Sequence, residues 1–202
     1  MEPPFVSMGY YLRGGSVERA LGALQIASPK ALSSDSDEWQ HFTTTGPLFD
    51  QGFELCGIGR HMLSLECSGE LYADDPSDLE EPELSRYYSD AKSIADTFSR
   101  VAIAIGGTFG TLGVETKIRR PDDPAFASDV AQFETLYLSK TSYDASTIDE
   151  MERVFAGCTV RDLGAGKFFS ASSIFGDGSL AVGAEQKWAI RRDAMLLLRA
   201  AG

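Results

Sequence analysis

Between residues 84 and 105 the apolar positions Leu84, Tyr87, Tyr88, Ala91, Ile94, Ala95, Phe98, Val101, Ala102 and Ile105 recur at the three-and-four spacing of one helical face. Asp90, Lys92, Asp96 and Arg100 fall off that face. Pro82 suits a first helical turn, where its missing N–H costs nothing, and Glu80, Glu81 and Glu83 suit the positive end of the helix dipole. Gly106 or Gly107 can take the left-handed conformation that closes a helix. The spacing therefore predicts a main core helix of roughly 23 residues, about 35 Å long. Beyond it Phe109, Thr111, Val114, Thr116 and Ile118 predict a strand over residues 108–119.

The same reading of period and punctuation places the other elements. Residues 5–12 form a first strand ending at Gly14-Gly15, and a short helix from Ser16 to about Ala27 buries Val17, Ala20, Leu21 and Leu24. Residues 51–58 and 61–71 are two strands joined through Gly59-Arg60, with the spacing of a hairpin. In the second of them Leu63, Leu65 and Cys67 alternate with Met62, Ser64, Glu66 and Ser68, which suggests an antiparallel sheet with one buried side. Pro121-Asp122-Asp123-Pro124 breaks the chain before a strand at 133–138. Thr147, with Glu150 three positions on, reads as a capping box for a helix that buries Ile148, Met151, Val154 and Phe155 and stops at Gly157. Strands at 158–160 and 167–174 flank Gly164-Ala165-Gly166, and a last helix over 184–200 packs Trp188, Met195 and Leu198 inward.

Helices alternating with hairpins define an α+β class: a mostly antiparallel sheet packed against one long central helix and two or three shorter ones. A length of 202 residues fits one domain, or two intimately packed halves at about 1–105 and 106–202. The halves share a coarse rhythm of strand, helix and strands without a residue-level repeat.

Composition narrows the function classes. An apolar fraction of 43% with 12 Phe is that of a folded chain. No apolar run reaches the roughly 18 residues of a membrane-spanning helix, and Met1-Glu2-Pro3-Pro4 lacks the basic start of a signal peptide. Cys56, Cys67 and Cys158 are an odd, widely spaced set that reads as reduced thiols in the cytoplasm. The net charge of −12 is placed unevenly: residues 1–90 hold 16 acidic and 5 basic side chains, whereas residues 91–202 hold 14 and 13. Such a field repels nucleic acid and anionic membranes and attracts cationic surfaces.

Four features invite a chemical reading. Gly107, Gly110 and Gly113 form a glycine series, but a phosphate-cradling loop needs a strand before it and a helix after it, and here the order is reversed. The segment Leu163-Gly164-Ala165-Gly166-Lys167 fails the phosphate-loop pattern at Arg161 and Phe168. Cys56 and His61 are near enough across the hairpin for a thiol–imidazole pair, yet nothing in the sequence supplies an orienting group, and with Cys67 they lack the close spacing of a zinc site. Asp74, Asp75, Asp78, Glu80, Glu81 and Glu83 form a dense acidic run without the residue order of a calcium loop.

The chain is similar, as a class only, to bacterial immunity and antitoxin proteins: acidic, cytosolic and without a catalytic set. The expectation is a non-enzymatic module that docks or neutralises a basic protein partner, without cofactor or metal. Asp74, Asp75, Asp78, Glu80, Glu81 and Glu83 would supply the contact, and Trp39 would anchor it. The alternative is a small-molecule-binding protein or enzyme with a pocket near the segment from Gly106 to Gly113. Self-association through the aromatic patches is a third expectation.

Overall fold

In chain order the elements are β1 (Phe5–Tyr11), α1 (Val17–Ala23), β2 (Glu54–Gly59), β3 (Met62–Ser68), a 3-10 turn (Pro76–Asp78), α2 (Glu81–Ala104), β4 (Phe109–Val114), β5 (Thr135–Ser139), α3 (Ala145–Val154), β6 (Thr159–Asp162), β7 (Gly166–Ser170) and α4 (Ala184–Ala201). The computed structural model describes residues 4–15, 17–24, 54–59 (as backbone), 61–69, 72, 76–116, 118–124, 126, 133–176 and 182–202. Its strands form one sheet of seven in the order β2-β3-β1-β4-β5-β7-β6, and each neighbouring pair is antiparallel. The α+β class read from the sequence is the class observed.

Side chains alternate across the sheet, and each face carries its own core. Val6, Met8 and Tyr10 of β1, Leu63 and Leu65 of β3 and Leu112 of β4 meet Leu21 of α1 and Ala91, Ile94, Phe98 and Val101 of α2. On the other face Phe109, Leu136, Leu138 and Phe169 meet Ile148 and Met151 of α3 and Ile190, Ala194, Met195 and Leu198 of α4. Both faces are thus covered, and Met62 and Ser64 are buried along with Leu63 and Leu65. The expectation of one buried side underestimates this, because α3 and α4 cover the second face.

The order β1-α1-β2-β3-α2 recurs as β5-α3-β6-β7-α4. In each unit the last strand lies between the other two, and β4 separates the units. Helices of the first unit pack on one face and those of the second on the other. A half-turn about an axis along β4 produces this relation.

The long helix spans Glu81–Ala104, as its period predicts. Its C-terminus closes in a Schellman motif: the amide of Gly107 donates to Ala102 O at 2.9 Å and that of Gly106 to Ile103 O at 3.2 Å. Gly106 takes φ +65°, open to it without a Cβ penalty. Gly110 serves a different end. A Cβ there would stand 3.0 Å from both Phe98 and Tyr10, so its absence lets the two rings stack at 5.4 Å across β1, β4 and α2.

Three local expectations need correction. The strand over 108–119 stops at Val114: Glu115 adopts φ +52°, and Ile118 turns back over Gly9 of β1, where a Cβ would lie 2.4 Å from its own. The cap of helix α3 lies three residues before the proposed one, because the Asp144 carboxylate accepts the Thr147 amide at 2.8 Å and takes the N-cap position. Trp188 is 55% exposed, in contrast to Met195 and Leu198. It falls about a quarter-turn from the centre of the buried arc of α4, and the Arg192 guanidinium sits 5.1 Å from its ring centroid.

Candidate docking surface on the long helix

The start of α2 is built from the carboxylates themselves. Asp78 ends the 3-10 turn, Glu80 is the N-cap residue without a side-chain capping bond, and Glu81 and Glu83 flank Pro82 in the first turn. All four acids are exposed and have no ion-pair partner among the described residues. The helix dipole favours each negative charge here by about 0.3–1 kcal/mol, which offsets part of their mutual repulsion. Asp74, Asp75 and Trp39 lie outside the described residues.

Aromatic rings fix this end of the helix to the body. Tyr72 packs against Tyr87 at 4.9 Å and Phe175 at 5.6 Å, and burial raises its phenol pKa. Tyr88 meets the edge of Tyr87 at 5.3 Å and remains 44% exposed, although the sequence pattern assigns it to the buried face. It lies about a quarter-turn from the centre of the buried arc. The surface next to the acids therefore carries an accessible aromatic side chain that sequence reasoning misplaced.

Further along α2 an open groove of 590 Å³ runs between the helix and β6, lined by Ser89, Lys92, Asp96, Arg100, Ile103 and Arg161 among others. Arg161 crosses it, donating from Nη1 to Asp96 Oδ1 at 3.0 Å and lying over the Phe168 ring at 3.9 Å. Arg100 donates to the Thr97 hydroxyl at 3.1 Å, and Lys92 has no partner among the described residues. No sequence pattern signals this groove, because Asp96 and Arg161 are brought together from 65 positions apart.

Of the other residues proposed for chemistry, His61 and Cys67 stand apart. His61 sits at φ +60° and its Nδ1–H donates to the Gly15 carbonyl at 3.0 Å. Cys67 is six residues along β3 from it, about 20 Å at the strand rise. Burial, with Glu66 beside it, pushes the Cys67 thiol up to about 12, which keeps it protonated and unreactive near neutrality. Cys56 occupies the register irregularity between Leu55 and Gly57, and its side chain lies outside the described set. Burial also raises the Cys158 thiol.

Neither glycine segment offers a free cradle of amides. Those of Gly106 and Gly107 are spent on the helix cap. In the turn between β6 and β7 the Gly164 amide donates to Asp162 Oδ1 at 2.8 Å, and Ala165 N to Leu163 O at 3.0 Å. Hydrogen bonds from Lys140 and then from Gly164 hold the Asp162 carboxyl below the usual range. A second recess, of 350 Å³, adjoins the segment at Thr108, whose hydroxyl accepts the Arg13 amide at 2.9 Å. Tyr11, Arg13, Asp122, Tyr143 and Arg199 line it. No metal-holding group of three or more His, Cys, Asp or Glu occurs among the described residues, and no described helix is long and apolar enough to cross a membrane.

With that geometry in place, the chain can be set beside known proteins. Neither a protein-family model nor a curated protein matches it. Among solved structures it is similar to the Pseudomonas aeruginosa T6SS protein PA0821, at 12% identity and a TM-score of 0.40, covering 98% of this chain and 75% of that one.

Proposed function

We propose that this protein is a non-enzymatic binding module that docks a basic protein partner on the N-terminal end of α2, and that it acts by occupying that partner's surface, as an immunity or antitoxin protein does. The observation that supports the reading is the cluster of exposed carboxylates Asp78, Glu80, Glu81 and Glu83, without an ion-pair partner among the described residues, with the exposed ring of Tyr88 about two turns farther along the helix. Clustered carboxylates raise the rate of encounter with a cationic surface, and an aromatic side chain at the rim supplies the apolar contact that slows dissociation. Asp74, Asp75 and Trp39 belong to the same proposal. Occupying a partner's active face needs no chemistry from this chain, and it is compatible with a Cys67 thiol held protonated.

The test is kinetic. A partner captured from native lysate at low salt is passed over immobilised wild-type protein and over a variant carrying Asp78→Lys, Glu80→Lys, Glu81→Lys and Glu83→Lys. The expected outcome is an association rate that falls steeply from 50 to 300 mM salt for wild type and is at least tenfold lower for the variant at low salt. Association that is insensitive to both salt and charge reversal would remove the interface from this end of the helix.

A second reading has its own observation. The 350 Å³ recess sets Arg13 and Arg199, neither in an ion pair among the described residues, beside Tyr143, so a small anionic metabolite is the competing ligand. A rise in melting temperature with a carboxylate or phosphate metabolite, abolished by Arg13→Gln, would favour this reading over the first.

A further inference from the structure

We infer that the groove between α2 and β6 binds an extended, acidic stretch of polypeptide, a site whose polarity is opposite to that of the helix entrance. Three cations face the groove, Lys92 and Arg100 from the helix and Arg161 from the strand, against the single carboxylate of Asp96. That carboxylate is engaged by Arg161 Nη1 at 3.0 Å. Among the described residues, Arg161 Nε is buried without a hydrogen-bond partner, Arg100 has a neutral hydroxyl for a partner, and Lys92 has none. In a chain of net charge −12, this is a local excess of positive charge held on rigid elements. The Phe168 ring beneath Arg161 keeps water from one side of the guanidinium and strengthens its attraction for a carboxylate.

Shape selects the occupant. From Ser89 to Ile103 the groove follows α2 for about 21 Å at the helical rise, the length of about six residues of extended chain. Lys92 and Arg100 are two turns apart, about 12 Å. Carboxylates at alternate positions of an extended segment repeat about every 6.8 Å, so the first and third of such a series reach both helix cations while Arg161 faces the one between. The hydroxyls of Ser89 and Ser93 and the 40% exposed Ile103 suit backbone and side-chain contacts of such a segment. The acidity of the remainder of the molecule does not prevent this, because at physiological salt the field of distant carboxylates decays over about 8 Å.

This site does not depend on the proposed docking of a basic partner. If both hold, one partner presents a basic patch to Glu80, Glu81 and Glu83 and an acidic strip farther along the helix. Alternation of charge would then fix its direction along α2.

The experiment uses the full chain and a fluorescein-labelled peptide, Glu-Thr-Glu-Thr-Glu-Thr, read by anisotropy at 100 mM salt. The expected result is saturable binding that weakens at least tenfold in the variant Lys92→Glu, Arg100→Glu, whose substituted side chains are both exposed and whose melting temperature should match wild type. Reversal of Glu80, Glu81 and Glu83 should leave it unchanged or tighten it. Failure of that reversal variant to lose a basic partner would count against the proposed function alone. The groove inference is overturned by peptide binding that survives Lys92→Glu, Arg100→Glu, by no saturable binding, or by displacement with equimolar inorganic phosphate, which would mark a site for a compact anion.

Discussion

At the scale of single residues, the constraints are set by atoms that are missing or withheld. Gly110 lacks a Cβ where Phe98 and Tyr10 meet, with Gly9 O a further 3.1 Å neighbour. Gly110→Ala should cost about 1–3 kcal/mol through overpacking, read as a lower denaturation midpoint at unchanged slope. Gly106→Ala should cost about 1–2 kcal/mol, because φ +65° penalises any L side chain. The Cys67 thiol is held protonated by burial, and its pKa is raised from 9.0 to about 12. A group that is harder to ionise in the folded state than in the unfolded one contributes stability in full below its unfolded value, and that contribution drains away as pH rises towards the folded value. Stability should therefore fall between pH 9 and 12, and Cys67→Ala should flatten that decline in a pH series of chemical melts. At pH 8 native Cys67 should resist alkylation by iodoacetamide, checked by mass spectrometry of the digested protein.

At the scale of elements, the start of α3 separates two sequence patterns that look alike. Thr147 and Glu150 match a capping box, whereas Asp144 three residues earlier makes the observed cap. The Asp144 carboxyl lies below its ordinary range because of the bond from the Thr147 amide and then the Thr147 side chain. Its contribution is present above the usual carboxylate pKa and is lost as pH falls through the lowered one. Asp144→Ala should lower the melting temperature at pH 7 and Glu150→Ala should leave it nearly unchanged; the reverse order would restore the capping box. The period of apolar residues was enough to place α2, α4, β1, β3 and β7, since burial on one arc or one face writes a regular signal. It failed for Tyr88 and Trp188 because both sit at the margin of a buried arc, where spacing alone cannot say which side of the boundary a ring occupies. The groove was illegible for a different reason: its walls come from α2 and β6, and only the fold brings them together.

For the whole molecule, the charge imbalance read from composition acquires a location. Acids gather at one end of α2, while the opposite face of the sheet carries α4 with exposed Trp188 and Leu196 and the cations Arg192 and Arg199. The two helices hold equivalent places in the repeated strand-helix order yet differ at their ends, with acids in the first turn of α2 and Arg199 in the last turn of α4. The seven strands also cross the midpoint of the chain, with β4 hydrogen-bonded to β1 on one side and β5 on the other. Fragments 1–105 and 106–202, expressed separately, should each show no cooperative unfolding by circular dichroism, and mixing them should restore it. Independent folding of either half would identify two units instead of one.

The position of β1 governs how the chain comes to be folded. Among the described strands it comes first in the sequence, yet its two partners are β3 and β4, and the bonds that hold it reach 57 residues from Ser7 to Ser64 and from the Tyr11 carbonyl to the amide of Thr108. Until those segments leave the ribosome, the apolar row of Val6, Met8 and Tyr10 has no sheet to join. Closing such long loops costs entropy before any contact offsets it, which places refolding in the slow, millisecond-to-second range of sheet proteins. The earliest of the described strands is among the last to find both of its neighbours.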